Sequence, residues 1–111
     1  MITTISSSNG DFQLSELLST GLIFKSNEMN WESAMQAASK LGDGWRLPTF
    51  AEFEILQTET ELISQYDMVF WSHDEYEENT ECAYIWDMSG ILTGHWNKEE
   101  SCYYAFAIRM L

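Results

Sequence analysis

At 111 residues, 45% of them apolar, the chain is too hydrophobic for a disordered tail and has the size of one domain. Eighteen acidic residues against five basic ones give a formal charge of −13, a surface expected to exclude direct binding to nucleic-acid backbones or anionic membranes and to attract basic proteins. Two cysteines are too few for a disulfide framework, and no apolar run approaches the ~20 residues of a membrane helix.

In chain order, the first element expected is a set of short strands. Phe12 and Leu14 alternate with polar neighbours, and residues 21–25 form an apolar run of strand length. The first helix is the clearest element. Asn30 is a favourable N-cap; Trp31, Ala34, Met35, Ala38 and Leu41 recur at helical spacing as one apolar stripe; Lys40 suits the last turn and Gly42 the position after it. Pro48 forces Leu47 into an extended conformation, and Thr49 with Glu52 has capping-box spacing, so a second helix is expected from Thr49 to about Thr58. Phe53 and Leu56 are expected to face inward with Phe50 or Ile55, and residues 61–65 to add a helical turn.

The second half reads as strands over 67–72, 81–88, 91–96 after a turn at Ser89-Gly90, and 101–110. Period-two alternation places Cys102, Tyr104, Phe106, Ile108 and Met110 on one face of the last strand. Strand, helix, helix and then an antiparallel sheet is an α+β order, read as one domain over residues 1–111 with two helices packed on a twisted sheet and irregular loops.

The segment Gly42-Asp43-Gly44-Trp45-Arg46-Leu47-Pro48-Thr49, followed by Glu52, resembles the G-W-R-L-P-T-x-x-E motif of two C-type-lectin-like groups. One is the formylglycine-generating enzyme family; the other, the better match, is typified by the C-terminal domain of the Lcl collagen-like adhesin. Asn30-Trp31 with Ala34, the run Trp71-Ser72-His73-Asp74-Glu75-Tyr76, and Tyr103-Tyr104 with Arg109 extend the likeness over residues 20–111. The resemblance implies a C-type-lectin-like fold in which Trp31, Trp45, Arg46, Pro48, Thr49 and Glu52 specify structure. Trp45 is expected as an anchor and Arg46 as the partner of a carboxylate. A fainter likeness to the vertebrate-type lectin signature rests on Glu81, Cys82, Trp96, Asn97 and Cys102. There the corresponding cysteines bond, so it implies a disulfide between Cys82 and Cys102; for a cytoplasmic protein two buried thiols are the favoured reading.

The chemistry of the related families does not carry over. The formylglycine-generating enzymes use a late cysteine pair, and only Cys102 lies late here. The calcium-dependent lectins use a Glu-Pro-Asn-type triplet and a Trp-Asn-Asp step, where this chain has Glu77-Glu78-Asn79 and Trp96-Asn97-Lys98. His73 and His95 stand in no zinc spacing, and Ser72, His73 and Asp74 are sequence neighbours rather than an assembled triad. No catalysis, metal or cofactor is expected.

The expected function is that of a binding module. Asp74, Glu75, Tyr76, Glu77, Glu78 and Glu81, with Asn97, Glu99 and Glu100, are expected to contact a protein partner with a basic surface; Tyr76 is expected to be the exposed aromatic. A sharper form is an acidic inhibitor, of phage or bacterial origin, that occupies the groove of a nucleic-acid-binding protein. The alternative is a carbohydrate-binding lectin or adhesin-type domain. The opening residues 1–8 have neither a basic nor an apolar leader segment, so a cytoplasmic location is expected.

Overall fold

The computed structural model describes residues 3–7, 10–18, 27–59, 68–87 and 93–111. The expected strand at 21–25, the helical turn at 61–65 and the Ser89-Gly90 turn lie outside them. The protein is a small α+β fold with two helices and two antiparallel sheets among the described residues. Strand β1 (Thr3–Ser7) pairs with β2 (Gly10–Leu17), which pairs with the last strand, β6 (Phe106–Met110). Between them come helix α1 (Trp31–Ser39), helix α2 (Phe50–Glu59) and the second sheet of β3 (Val69–Glu75), β4 (Cys82–Asp87) and β5 (Thr93–Asn97), in that order.

The helix starts follow from local chemistry. Asn30 is extended at φ −78° and its side-chain oxygen accepts from the Ser33 amide at 2.9 Å. At α2 the capping box closes in both directions: the Thr49 amide donates to Glu52 Oε1 at 2.8 Å and the Glu52 amide to Thr49 Oγ1 at 3.2 Å. After α1 the chain reverses through Gly42, Asp43 and Gly44 at φ 73°, 49° and 82°. Glycine tolerates this region and aspartate is among the few other residues that do. Lys40 is the C-cap rather than a last-turn residue. Leu41 is 46% exposed, so the stripe expected from Trp31 to Leu41 ends one turn earlier: Ala34 and Ala38 are buried, and Leu41 leaves the core where the helix axis stops.

The strands bury two faces, and each face has its own helix. Phe70, Trp86, Phe106 and Ile108 join Phe53 and Leu56 of α2 in one cluster with Ile5, Phe12 and Leu14. Their neighbours in sequence, Trp71, Ile85, Ala105 and Ala107, join Ala34 and Ala38 of α1 in the other, with Trp45 and Leu47. Adjacent residues of a strand point to opposite sides, so β3, β4 and β6 separate two cores. The two helices thus lie against different faces. As the alternation predicts, Tyr104, Phe106 and Ile108 share one face, that of the α2-side core; the other face is covered as well, with Ala105 and Ala107 as buried as Ile108, while Met110 is 50% exposed at the end. One expectation is corrected: β6 does not join the sheet that precedes it. It pairs with β2, with Leu14 opposite Ile108, and the strand itself begins only at Phe106.

Isolated bridges bind these parts together. Tyr104 pairs in parallel with Phe70, its amide donating to the Val69 carbonyl at 3.0 Å and its carbonyl accepting from the Trp71 amide at 2.9 Å. Arg46 and Ile108 exchange backbone hydrogen bonds of 3.0 and 2.7 Å, and the His73 amide donates to the Pro48 carbonyl at 2.7 Å. The extended Trp45 to Pro48 stretch is thus hydrogen-bonded to β6 and to β3. Trp45, at 8% exposure, anchors it in the α1-side core with the Arg109 guanidinium 5.1 Å from its ring. Arg46 takes the carboxylate partner expected of it, Nη2 to Glu52 Oε2 at 2.9 Å.

Candidate partner-binding site

Two turns carry the acidic residues, and backbone hydrogen bonds hold them side by side. The first joins β3 to β4. Within it the Asn79 amide donates to the Tyr76 carbonyl, the Cys82 amide to the Asn79 carbonyl, and the Glu81 amide to Asn79 Oδ1. The second follows β5, where Asn97 Oδ1 accepts from the Glu99 amide at 2.8 Å and the Asn97 carbonyl from Glu100. Cys82 stands opposite Asn97 in the β4–β5 ladder, and the Lys98 amide donates to the Glu81 carbonyl at 2.9 Å. The 73–81 and 97–100 segments are therefore neighbours.

Lys98 is the link. Its ammonium lies 2.8 Å from Glu75 Oε2 and 4.4 Å from the centre of the Trp31 ring, and its carbonyl accepts from the Trp31 amide. One cation thus ties both acidic turns to the start of α1.

The nine expected contact residues divide by duty. Glu78, Glu81, Asn97, Glu99 and Glu100 are exposed or half-exposed. Asp74 has a structural role as well: its Oδ2 accepts from the Phe50 amide at 3.0 Å, placing a carboxylate at the N-terminus of α2. Glu75 pairs with Lys98, and Glu77 accepts from the Tyr84 hydroxyl at 2.9 Å. Tyr76 is half-buried rather than the exposed aromatic. It stacks flat on His95, centroids 3.7 Å apart, lies edge-on to Tyr84, and donates its hydroxyl to Glu78. Among the described Trp, Tyr and Phe residues the exposed one is Trp96, at 43%. Trp71 and Trp86 are core, as expected of a small sheet.

These bonds displace ionisation in definite directions. The hydrogen bond to Glu77, assisted by partial burial and by that residue's charge, pushes Tyr84 up to about 12. Glu77 is held below the usual carboxylate range by its own amide and then by Tyr84. Tyr76 is raised, first by its bond to Glu78. Both tyrosines remain neutral donors at physiological pH.

An open groove of about 570 Å³ runs between the first turns of α2 and the first acidic turn. Phe50, Ala51 and Tyr84 supply its apolar lining, and Glu54, Asp74, Glu75 and Glu77 its carboxylates. The Phe50 and Tyr84 rings are 5.3 Å apart, tilted. Phe50, Glu54 and Tyr84 were not singled out as contact residues from the sequence. The signal for Glu54 was its place one turn beyond Phe50 on the same helix.

The Ser72, His73, Asp74 run does not assemble a nucleophile. Ser72 is fully buried, with Oγ accepting from the Asp74 amide at 3.1 Å, while His73 lies on the other side of the strand with Nδ1 3.8 Å from Asp74 Oδ1. Cys82 and Cys102 are both free thiols and half-buried, in line with the favoured reading of two thiols rather than with the disulfide that the lectin signature implies. Burial, with the charges of Glu100 and Glu28, raises the Cys102 thiol, so it stays protonated and weakly nucleophilic near neutrality. Among the described residues no group of three His, Cys, Asp or Glu side chains is placed to hold a metal ion, and no helix is long and apolar enough to cross a membrane.

No protein-family profile matches the chain, and no curated protein matches it.

Proposed function

We propose that this protein is a non-catalytic recognition domain of the C-type-lectin-like class, which binds a basic surface of a protein partner through its two acidic turns. The observation that carries this reading is the juxtaposition of the 73–81 and 97–100 segments: seven carboxylates at one end of the fold, Asp74, Glu75, Glu77, Glu78, Glu81, Glu99 and Glu100, meet the single ammonium of Lys98. Such an excess of one sign speeds encounter with a basic partner and makes association salt-sensitive. The lectin-like class is supported by the sheet in which the chain's last strand, β6, pairs with β2 near the start of the chain, around two helices, and by the Trp45 to Thr49 stretch tied to both sheets. A basic nucleic-acid-binding protein, held by a phage or bacterial inhibitor in place of its nucleic acid, is the partner class that the charge fits best.

The test is capture from a lysate at low and at high salt, beside a variant with Glu77, Glu78, Glu99 and Glu100 changed to glutamine. A nucleic-acid-binding protein retained at low salt, released at high salt and lost by the variant supports the reading; equal capture by the variant overturns it. Exposed Trp96 favours a second reading, a glycan stacked on its indole face. Glycan-array binding that is salt-insensitive and lost on Trp96→Ala would select that reading instead.

A further inference from the structure

We infer that the groove between α2 and the β3–β4 turn is a pocket for an arginine side chain of the protein partner; the inference rests on the recognition role proposed above and assigns its central contact. The groove has the two elements a guanidinium requires. Aromatic surface comes from Phe50 and Tyr84, whose rings meet at 5.3 Å and form a wall on which a planar cation stacks. Carboxylate oxygens come from three separate parts of the chain: Glu54 on α2, Asp74 and Glu75 on β3, and Glu77 on the turn.

The fold satisfies these acids unequally. Asp74 accepts from the Phe50 amide, Glu75 holds Lys98, and Glu77 holds the Tyr84 hydroxyl, whereas the Glu54 carboxylate has no side-chain or backbone donor among the described residues. The lining residues include no Lys or Arg, so the groove's negative charge awaits a cation from outside. Tyr84 keeps its proton, so its ring edge adds no charge of its own and its hydroxyl holds Glu77 at the rim. A lysine ammonium would meet the same charge but would forfeit the stacking and the bidentate geometry. The occupant is therefore arginine in preference to lysine.

The experiment uses the full chain, labelled with nitrogen-15, and one short glycine- and serine-based peptide made with either a central Arg-Gly-Arg or a central Lys-Gly-Lys. Amide shifts are followed on titration at low salt, with wild type, Glu54→Gln and, as a control outside both the groove and the acidic turns, Asp43→Asn. The expected result is that shifts centre on Phe50, Ala51 and Tyr84, that the arginine peptide binds roughly threefold or more tightly than the lysine peptide, and that Glu54→Gln weakens it about threefold while Asp43→Asn does not. Glu54 is exposed on its helix, so this variant folds as wild type does. Equal binding of the two peptides with shifts spread over the 97–100 turn overturns the arginine pocket and leaves the acidic recognition surface standing. Absence of binding by either peptide overturns both. Displacement of the peptide by calcium alone, at the same amides, also overturns the inference by making the groove a metal site.

Discussion

Trp71 and Trp96 each lie edge-on to Tyr103, at 5.4 and 5.8 Å, yet their surroundings differ completely. Trp71 is fully buried and donates Nε1 to the Met29 carbonyl at 2.7 Å; Trp96 is 43% exposed. Trp71→Phe removes ring volume and leaves that carbonyl without its donor, a loss of about 1–3 kcal/mol from the hydrogen bond alone, read as a lower urea midpoint at unchanged slope. Trp96→Phe is expected to stay within about 0.5 kcal/mol of wild type. Alternation along a strand says that two residues share a face, not which face meets water, so the sequence alone did not separate these two indoles. Glu52 was legible because its partners are close in sequence: the capping box and the pairing of Arg46 were both expected and both form. Burial pushes Glu52 up, but the Arg46 hydrogen bond and the bonds from Thr49 outweigh it and hold the group below its usual range. A lowered folded-state pKa contributes stability above the unfolded value and loses it as pH falls through the folded one. Glu52→Gln should therefore cost about 1 kcal/mol near neutrality, and the gap from wild type should close as pH drops below about 4 in paired denaturation curves.

At the scale of elements, what was local in the sequence was read and what was long-range was not. Both helix starts were placed by a cap and a neighbour within a few residues. The partner of β6 was missed because its pairing with β2 joins residues at opposite ends of the chain, a contact to which neither segment's own pattern refers. The two-faced burial of β6 was hidden for a related reason: Ala105 and Ala107 are small because α1 and Trp45 occupy the space beside them, yet in sequence they pass for the weakly apolar side of a half-exposed strand. Ala107→Leu tests this directly. A one-faced strand would present the new side chain to solvent at little cost; the observed packing predicts overpacking, a loss of about 1–3 kcal/mol and a lower melting temperature. The β3–β4 turn offers a second check. The folded-state pKa of Tyr84 lies above its ordinary value, so its bond to Glu77 is fully present below about 10 and fades as pH rises through about 12. Glu77→Gln should bring the late phenolate back toward about 10 in a tyrosine-resolved NMR titration; an unchanged titration would mean that the hydroxyl has another acceptor.

Across the whole molecule eighteen acidic side chains face five basic ones, so mutual repulsion is expected to exceed the attraction of the ion pairs seen among the described residues. The fold measures 33 × 32 × 24 Å and the chain carries a net charge of −13. The screening length is about 30 Å at 0.01 M salt and about 8 Å at 0.15 M, so at low salt every carboxylate feels nearly every other, and at physiological salt only its neighbours. Unfolding separates these charges, so the repulsion destabilises the compact state. The ion pairs of Lys98 with Glu75 and of Arg46 with Glu52 act in the opposite sense, since salt weakens them, but Arg46–Glu52 is half-buried and hydrogen-bonded twice and so is less screened. Repulsion among many acids should therefore outweigh these two pairs of the described residues. The melting temperature is expected to rise as sodium chloride is added from about 0.01 M to 0.15 M and then to level off once the screening length falls below the spacing of the two acidic turns. Changing Glu99 and Glu100 to glutamine should raise the low-salt melting temperature and flatten the salt dependence, because these exposed acids add charge to the crowded end without a partner that holds the fold together. A melting temperature that falls with salt would reverse the balance, making the Lys98 link rather than the mutual repulsion of the turns the controlling interaction at that end of the molecule.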